Sequence, residues 1–110
     1  MEALKKNRDF QLVFKRGRSF AGRHMVVFVL KNDGGLSRLG ISASKKVGHA
    51  VLRNRVRRRL KEAYRAIGAG VLAGHDIVIL PRAQAAEVDF ADLKEQLEYL
   101  LRKHEVMGMG

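Results

Sequence analysis

Apolar positions along this chain change spacing several times, and each change marks an element. Phe10, Val13 and Phe14 recur at steps of three and four, one face of a short helix. Asn7 suits its N-cap, Asp9 its first turn and Gly17 its end. From Arg23 to Lys31 the run Arg-His-Met-Val-Val-Phe-Val-Leu-Lys is β-branched and aromatic, which predicts a strand. Asn32-Asp33-Gly34-Gly35 is turn chemistry and Leu36 to Ser44 predicts a second strand, so the two are expected to pair as an antiparallel hairpin. Helical spacing returns with Leu52, Val56, Leu60, Ala63, Tyr64 and Ile67, and Gly68 and Gly70 close that helix. Asp76 to Leu80 is a short apolar run ended by Pro81, read as a buried strand. Asp89 is placed to cap a last helix bearing Phe90, Leu93, Leu97, Leu100 and Leu101.

The predicted order is α-β-β-α-β-α, with room for an extra short strand. Neither an internal repeat nor a domain boundary interrupts it. Residues 1–110 are therefore expected to form a single domain of the α+β class, a small α/β sandwich. Residues 7–103 are expected to be folded and residues 104–110 to be a flexible tail.

Charge changes the picture. Apolar residues make up 46% of the 110, enough for one modest core, yet the formal net charge is +11. Residues 1–75 hold 18 Lys or Arg against four acids, whereas residues 76–110 hold four against seven. Seven bases crowd into the thirteen residues from Arg53 to Arg65 around a lone acid, Glu62. Same-sign neighbours at i, i+4, such as Arg53/Arg57 and Arg55/Arg59, each weaken an isolated helix by roughly 0.2–0.5 kcal/mol. The charges are expected to stand clear of the apolar stripe, where a polyanion lying against them would offset the repulsion. Arginine rather than lysine predominates in the run, and its forked donors suit phosphate. Nucleic acid is the expected partner.

Several chemistries are disfavoured. The chain has no cysteine, which removes disulfides, thiolate nucleophiles and cysteine-ligated zinc. His24, His49, His75 and His104 are scattered without metal-ligand spacing, and only His49, at the start of the basic helix, is placed to meet a phosphate. No side chain sits in a nucleophile motif, and Gly40 to Lys46 lacks the second Gly and the Lys-Ser pair of a P-loop. Catalytic residues and protein metal ligands are accordingly expected to be none. The N-terminus lacks the apolar stretch of a signal peptide and no apolar run reaches the roughly 18 residues of a membrane span, so a cytoplasmic protein is expected. Phe10, Phe14 and Phe28 fit two roles, core residues or a platform on which unpaired bases stack. Tyr64 and Phe90 read as structural.

These residues resemble a known family, the protein subunit of bacterial ribonuclease P. The basic helix is similar in Arg53-Asn54-Arg55-Val56-Arg57-Arg58 and Glu62-Ala63-Tyr64-Arg65. Three further blocks follow in the family's order: Asp9 to Gly17, Leu39 to Gly48, and Asp76 to Leu80 with Arg82. The likeness spans roughly residues 7–102, and Arg59 departs from it where an apolar residue is usual. The resemblance implies a ribonucleoprotein endonuclease that removes the 5′ leader of precursor tRNA, with magnesium held mainly by a catalytic RNA. It implies that Arg53, Asn54, Arg55, Arg57, Arg58 and Lys61 face that RNA. It implies a leader cleft lined by Phe10, Phe14 and Phe28, with Arg16, Arg18, Ser19 and Lys46 as polar contacts. It also implies a left-handed β-α-β crossover through the basic helix, against the general rule of handedness. Neither a membrane nor a small-molecule substrate is expected. The rival reading is a basic ribosomal-type or other structural RNA-binding protein.

Overall fold

A computed structural model describes residues 2–108. Its elements are β1 (Glu2–Ala3), α1 (Asn7–Arg16), β2 (Arg18–Ala21), β3 (Met25–Lys31), β4 (Arg38–Ile41), α2 (Ala50–Ile67), β5 (His75–Pro81) and α3 (Phe90–Lys103). One-turn 3-10 helices follow α2 at Gly68–Gly70 and β5 at Ala83–Ala86. The α+β class and the succession of long elements are as the periodicity predicts. Two short strands, β1 and β2, are added to it. Helix α1 begins at Asn7 itself, with Lys6 at its N-cap, and Asp89 caps α3 by position without a side-chain bond.

The five strands lie in the order β1-β4-β5-β3-β2. The expected hairpin between β3 and β4 does not form, because β5 inserts between them, antiparallel to β3 and parallel to β4. The reason lies in burial. Ile77, Val78 and Ile79 are fully buried on alternating faces, so β5 removes most apolar surface from water at the centre of the sheet. The turn at Asn32 instead wraps the start of β5: the Asn32 amide nitrogen Nδ2 donates to Asp76 Oδ1 at 2.8 Å, and its backbone N–H to Gly74 O. The hairpin that does form joins β2 to β3, in register from Arg18 opposite Val29 to Ala21 opposite Val26. Helix α2 is the crossover between the parallel neighbours β4 and β5.

Helices cover both faces. Met25, Val27, Val29, Leu39, Ile77 and Ile79 meet α2 and α3 through Val56, Leu60, Tyr64, Leu93, Leu97 and Leu101. On the opposite face α1 seats Val13 against Val78, with Leu4, Phe10, Phe14, Phe28 and Leu30 around them. Burial pushes the Tyr64 phenol up to about 12, as its structural reading requires. Phe90, by contrast, stands 41% exposed at the first position of α3, before the helix reaches the core.

The chain after α3 is held rather than free as far as Gly108. Glu105 turns it back at φ 62°, Val106 is buried, the Leu72 N–H donates to Val106 O at 2.7 Å and the Gly108 N–H to Gly70 O at 2.6 Å. The expected flexible tail therefore does not begin at residue 104; residues 109–110 lie outside the described residues.

Candidate nucleic-acid interface

Helix α2 turns Val56, Leu60, Ala63 and Tyr64 inward, and at about 100° per residue this leaves Asn54, Arg55, Arg58 and Lys61 on the solvent side, all exposed. Among the described residues no carboxylate pairs with Arg55, Arg58 or Lys61. Glu62 instead takes Arg65 at 2.6 Å, a fully solvated pair. Arg57 is half-buried and donates through Nη1 to Asn54 Oδ1 at 2.9 Å, which aims both side chains. Two arginines depart from the expected separation of charge and core. Arg53 shares the apolar stripe with Val56 and Leu60, and its Nε is buried without an acceptor. Arg59 bends toward the segment before α3, where its guanidinium donates to the Ala85 and Ala86 carbonyls at 3.0 Å each and to Val88 O. It satisfies the end of a 3-10 helix and is thereby occupied.

A trough runs beside α1 across the strands. At its floor Gly40 on β4 lets α1 approach: a Cβ there would sit 2.6 Å from Phe10 Cζ and 3.0 Å from Leu4 Cβ. Further along, the Phe14 and Phe28 rings meet edge to face, centroids 4.9 Å apart. The three phenylalanines are half-buried, each packed on the small core below and open to the trough above. One hollow of about 290 Å³ lies between Phe10, Gln11, Phe14, Ser42, Lys5 and Arg57. A second, of about 650 Å³, lies among Val26, Ser44, Lys46, Leu80 and Arg82, and the two adjoin through Ser42–Ser44. Ser19 pairs with Phe28 across β2 and β3 and so shares its face.

Helix α1 is fixed to the sheet by ions as well as by rings. Asp76, 4% exposed on β5, accepts from Arg38 Nε at 2.8 Å and Nη2 at 2.6 Å, and from Asn32. Arg38 Nη1 reaches back to Asp9 of α1 at 3.5 Å. Burial by itself would raise the Asp76 carboxyl, but the hydrogen bonds from Arg38 and Asn32 outweigh it and hold the group below the usual carboxylate range. The hydrogen bond to Asp76 likewise raises Arg38. The trough wall is thus seated by a buried, fully partnered carboxylate.

A family model described as ribonuclease P matches residues 1–105 of this chain. The ribonuclease P protein component of Clostridioides difficile (strain 630) is 43% identical over 96% of this chain and 93% of its own length. Among solved structures, the Staphylococcus aureus RNase P protein superposes with a TM-score of 0.86 at 37% identity, covering 98% of this chain and 99% of that one. The RNase P protein of Thermotoga maritima gives 0.84 at 37% identity, covering 94% and 97%. The chain belongs to the ribonuclease P protein family. That membership makes it the protein component of an endoribonuclease of tRNA 5′ processing, with an RNA partner. No helix of the described residues is long and apolar enough to cross a membrane.

Of the positions that resemblance to ribonuclease P proteins singled out, Phe10, Phe14 and Lys46 line the two hollows, Phe28 meets the Phe14 ring beside them with Ser19 on the same sheet face, and Arg16 stands exposed in the last turn of α1. Arg18 is not among them. It lies opposite Val29 and so projects from the other face of β2, its Cζ 5.0 Å above the Phe20 ring. Arg57, grouped by sequence with the catalytic-RNA contacts, lines the trough mouth as well. Lys5, Gln11, Ser42, Ser44 and Arg82 also line it; all but Lys5 lie in the blocks that carry the resemblance, yet none was singled out as a contact, because only the packing of α1 on the sheet brings them together.

Proposed function

We propose that this chain docks the outward face of α2 on the catalytic RNA of ribonuclease P and holds the single-stranded 5′ leader of precursor tRNA in the trough beside α1, in the cytoplasm. The carrying observation is the trough's composition: half-buried aromatic edges at its floor, Lys46 and Arg57 at its sides, and its mouth against the basic helix. A leader has no groove to read, so stacking combined with a cationic wall binds it with little regard to sequence. Arg55, Arg58 and Lys61 suit a phosphate surface because, among the described residues, no carboxylate competes for them.

Bond cleavage in this reading belongs to the RNA. Among the described residues no three His, Asp or Glu side chains gather to hold a metal ion. Magnesium stays with the RNA, and the protein's part is to bind and orient. The test compares precursor tRNA with mature tRNA on the assembled holoenzyme. Phe14→Ala is expected to weaken precursor binding by roughly fivefold or more, one stacked base, and to leave mature tRNA unchanged. Arg55→Ala and Arg58→Ala should instead weaken assembly, each flattening the logarithmic salt slope by roughly 0.7–0.9. Equal loss of both tRNAs on Phe14→Ala would remove the leader from the trough.

A further inference from the structure

The trough crosses the strands from β4 toward β2, and β2 is an edge strand with a partner on one side only. At that end Ser19 and Ala21 face the trough while Arg18 and Phe20 project from the opposite face, opposite the core residues Val29 and Val27. Around the edge, Arg18 Cζ and Lys103 Nζ each stand 5.0 Å from the centre of the Phe20 ring. Lys103 also lies 5.9 Å from the ring of Tyr99, which is 61% exposed. Cation–π contact holds a side chain in place without neutralising its charge. Among the described residues no carboxylate pairs with Arg18 or Lys103; Glu98, the acid nearest in sequence on α3, is bonded to Arg102 at 3.3 Å.

Two unneutralised cations beside an open aromatic ring make the combination that takes single-stranded nucleic acid, a backbone track with a stacking surface. Helix α3 is otherwise an odd place for it. Beyond Tyr99, Asp92 and Glu95 share a hollow with Arg23 and His24, so the surface loses its net positive charge there, which bounds a polyanion's path. We infer that Arg18, Lys103 and Tyr99 form a second single-strand contact, reached around the β2 edge, which takes the upstream nucleotides of a long leader. This rests on the trough holding the leader, and it sets the strand's direction. The cleavage site lies at the α2 end, beside the catalytic RNA, and the 5′ end leads away over β2. Leader length then becomes a determinant of affinity after the trough is full.

The experiment is a length series. Precursor tRNAs with leaders from a few nucleotides upward are bound to the assembled holoenzyme, together with mature tRNA. Affinity is expected to rise once when the trough fills and again when the leader reaches past β2. Tyr99→Ala should remove about fivefold or more of the second rise, the worth of one stacked base. An Arg18→Ala/Lys103→Ala double variant should remove it too and flatten its salt slope by roughly 0.7 per phosphate lost. Lys103→Glu should deepen the loss. A single rise with no second one in the unaltered protein overturns the distal contact and leaves the trough standing. Indifference to any leader overturns both. Equal weakening of short and long leaders by the variants, or weakened binding of the catalytic RNA without substrate, assigns the patch elsewhere and overturns the inference.

Discussion

Gly40→Ala adds one methyl group where β4 meets α1. The new Cβ would lie 2.6 Å from Phe10 Cζ, 2.7 Å from Phe10 Cε1 and 3.0 Å from Leu4 Cβ, all inside normal contact. The ring cannot move deeper, because Val13 and Val78 fill the space beneath it. It must swing outward or lift α1, and overpacking of this kind costs about 1–3 kcal/mol. Against that, alanine restricts the unfolded chain and returns about 0.4–1 kcal/mol. The net expectation is a loss of about 1–2 kcal/mol, read as a lower urea midpoint for the free protein at constant slope. Phe10→Ala removes the obstacle. In that background Leu4 Cβ at 3.0 Å is the close neighbour that remains, and the cost of Gly40→Ala should fall to a small fraction of its value in the unaltered protein. The double-mutant cycle therefore isolates a coupling of about 1–2 kcal/mol between positions 40 and 10. Because the displaced ring forms the trough floor, Gly40→Ala should also weaken leader binding in the holoenzyme. An equal cost of Gly40→Ala with and without the Phe10 ring would refute this account of how α1 is seated.

Asp76→Asn should destabilise the fold by about 3 kcal/mol near neutral pH, at the lower end for a broken buried pair because Arg38 keeps some water. Since the Asp76 carboxyl titrates below its unfolded value of about 3.9, the ionised group stabilises the fold above that pH. That contribution disappears as the solution is acidified further, so wild type and variant should converge in acid urea titrations. Burial first, and then the Arg18 charge, lower the His104 imidazole, whose Nε2 lies 2.7 Å from Val27 O and donates to it when neutral. Wild type should accordingly lose stability as pH falls below about 6.5, where the unfolded chain takes up a proton first, and His104→Gln should lack that slope. Arg59→Ala should cost about 1.5–3 kcal/mol by stranding the carbonyls of Ala85, Ala86 and Val88, yet leave the salt slope of RNA binding unchanged. A flattened slope there would mean that Arg59 touches phosphate after all.

The chain's own spacing was enough to locate α1, α2, α3 and β5, and to show that α2 is basic outside and apolar within. Those properties are local: side chains three and four apart share a helix face whatever the helix packs against. Resemblance to a family then named a set of trough residues, most of which the structure does bring together.

Long-range contacts decided the rest. Nothing in the strand spacing says which strand is central; β5 took that place with both of its faces fully buried at Ile77, Val78 and Ile79, whereas β3 leaves Val26, Phe28 and Leu30 half-buried, and the β3–β4 hairpin was lost to it. Arg18 fell on the far face because β2 alternates from Gly17 onward, and in a four-residue strand a shift of one position reverses every side chain. Arg53 and Arg59 look like their neighbours in sequence, yet one is drawn into the core stripe and the other to carbonyls more than twenty residues away. The final turn after α3 is pinned by Leu72 and Gly70, partners that a short polar-looking tail does not advertise. Spacing along the chain determined which way side chains point within an element. Only the folded sheet, by competition among distant groups for burial and hydrogen bonds, decided which elements meet and where a nucleic-acid strand can lie.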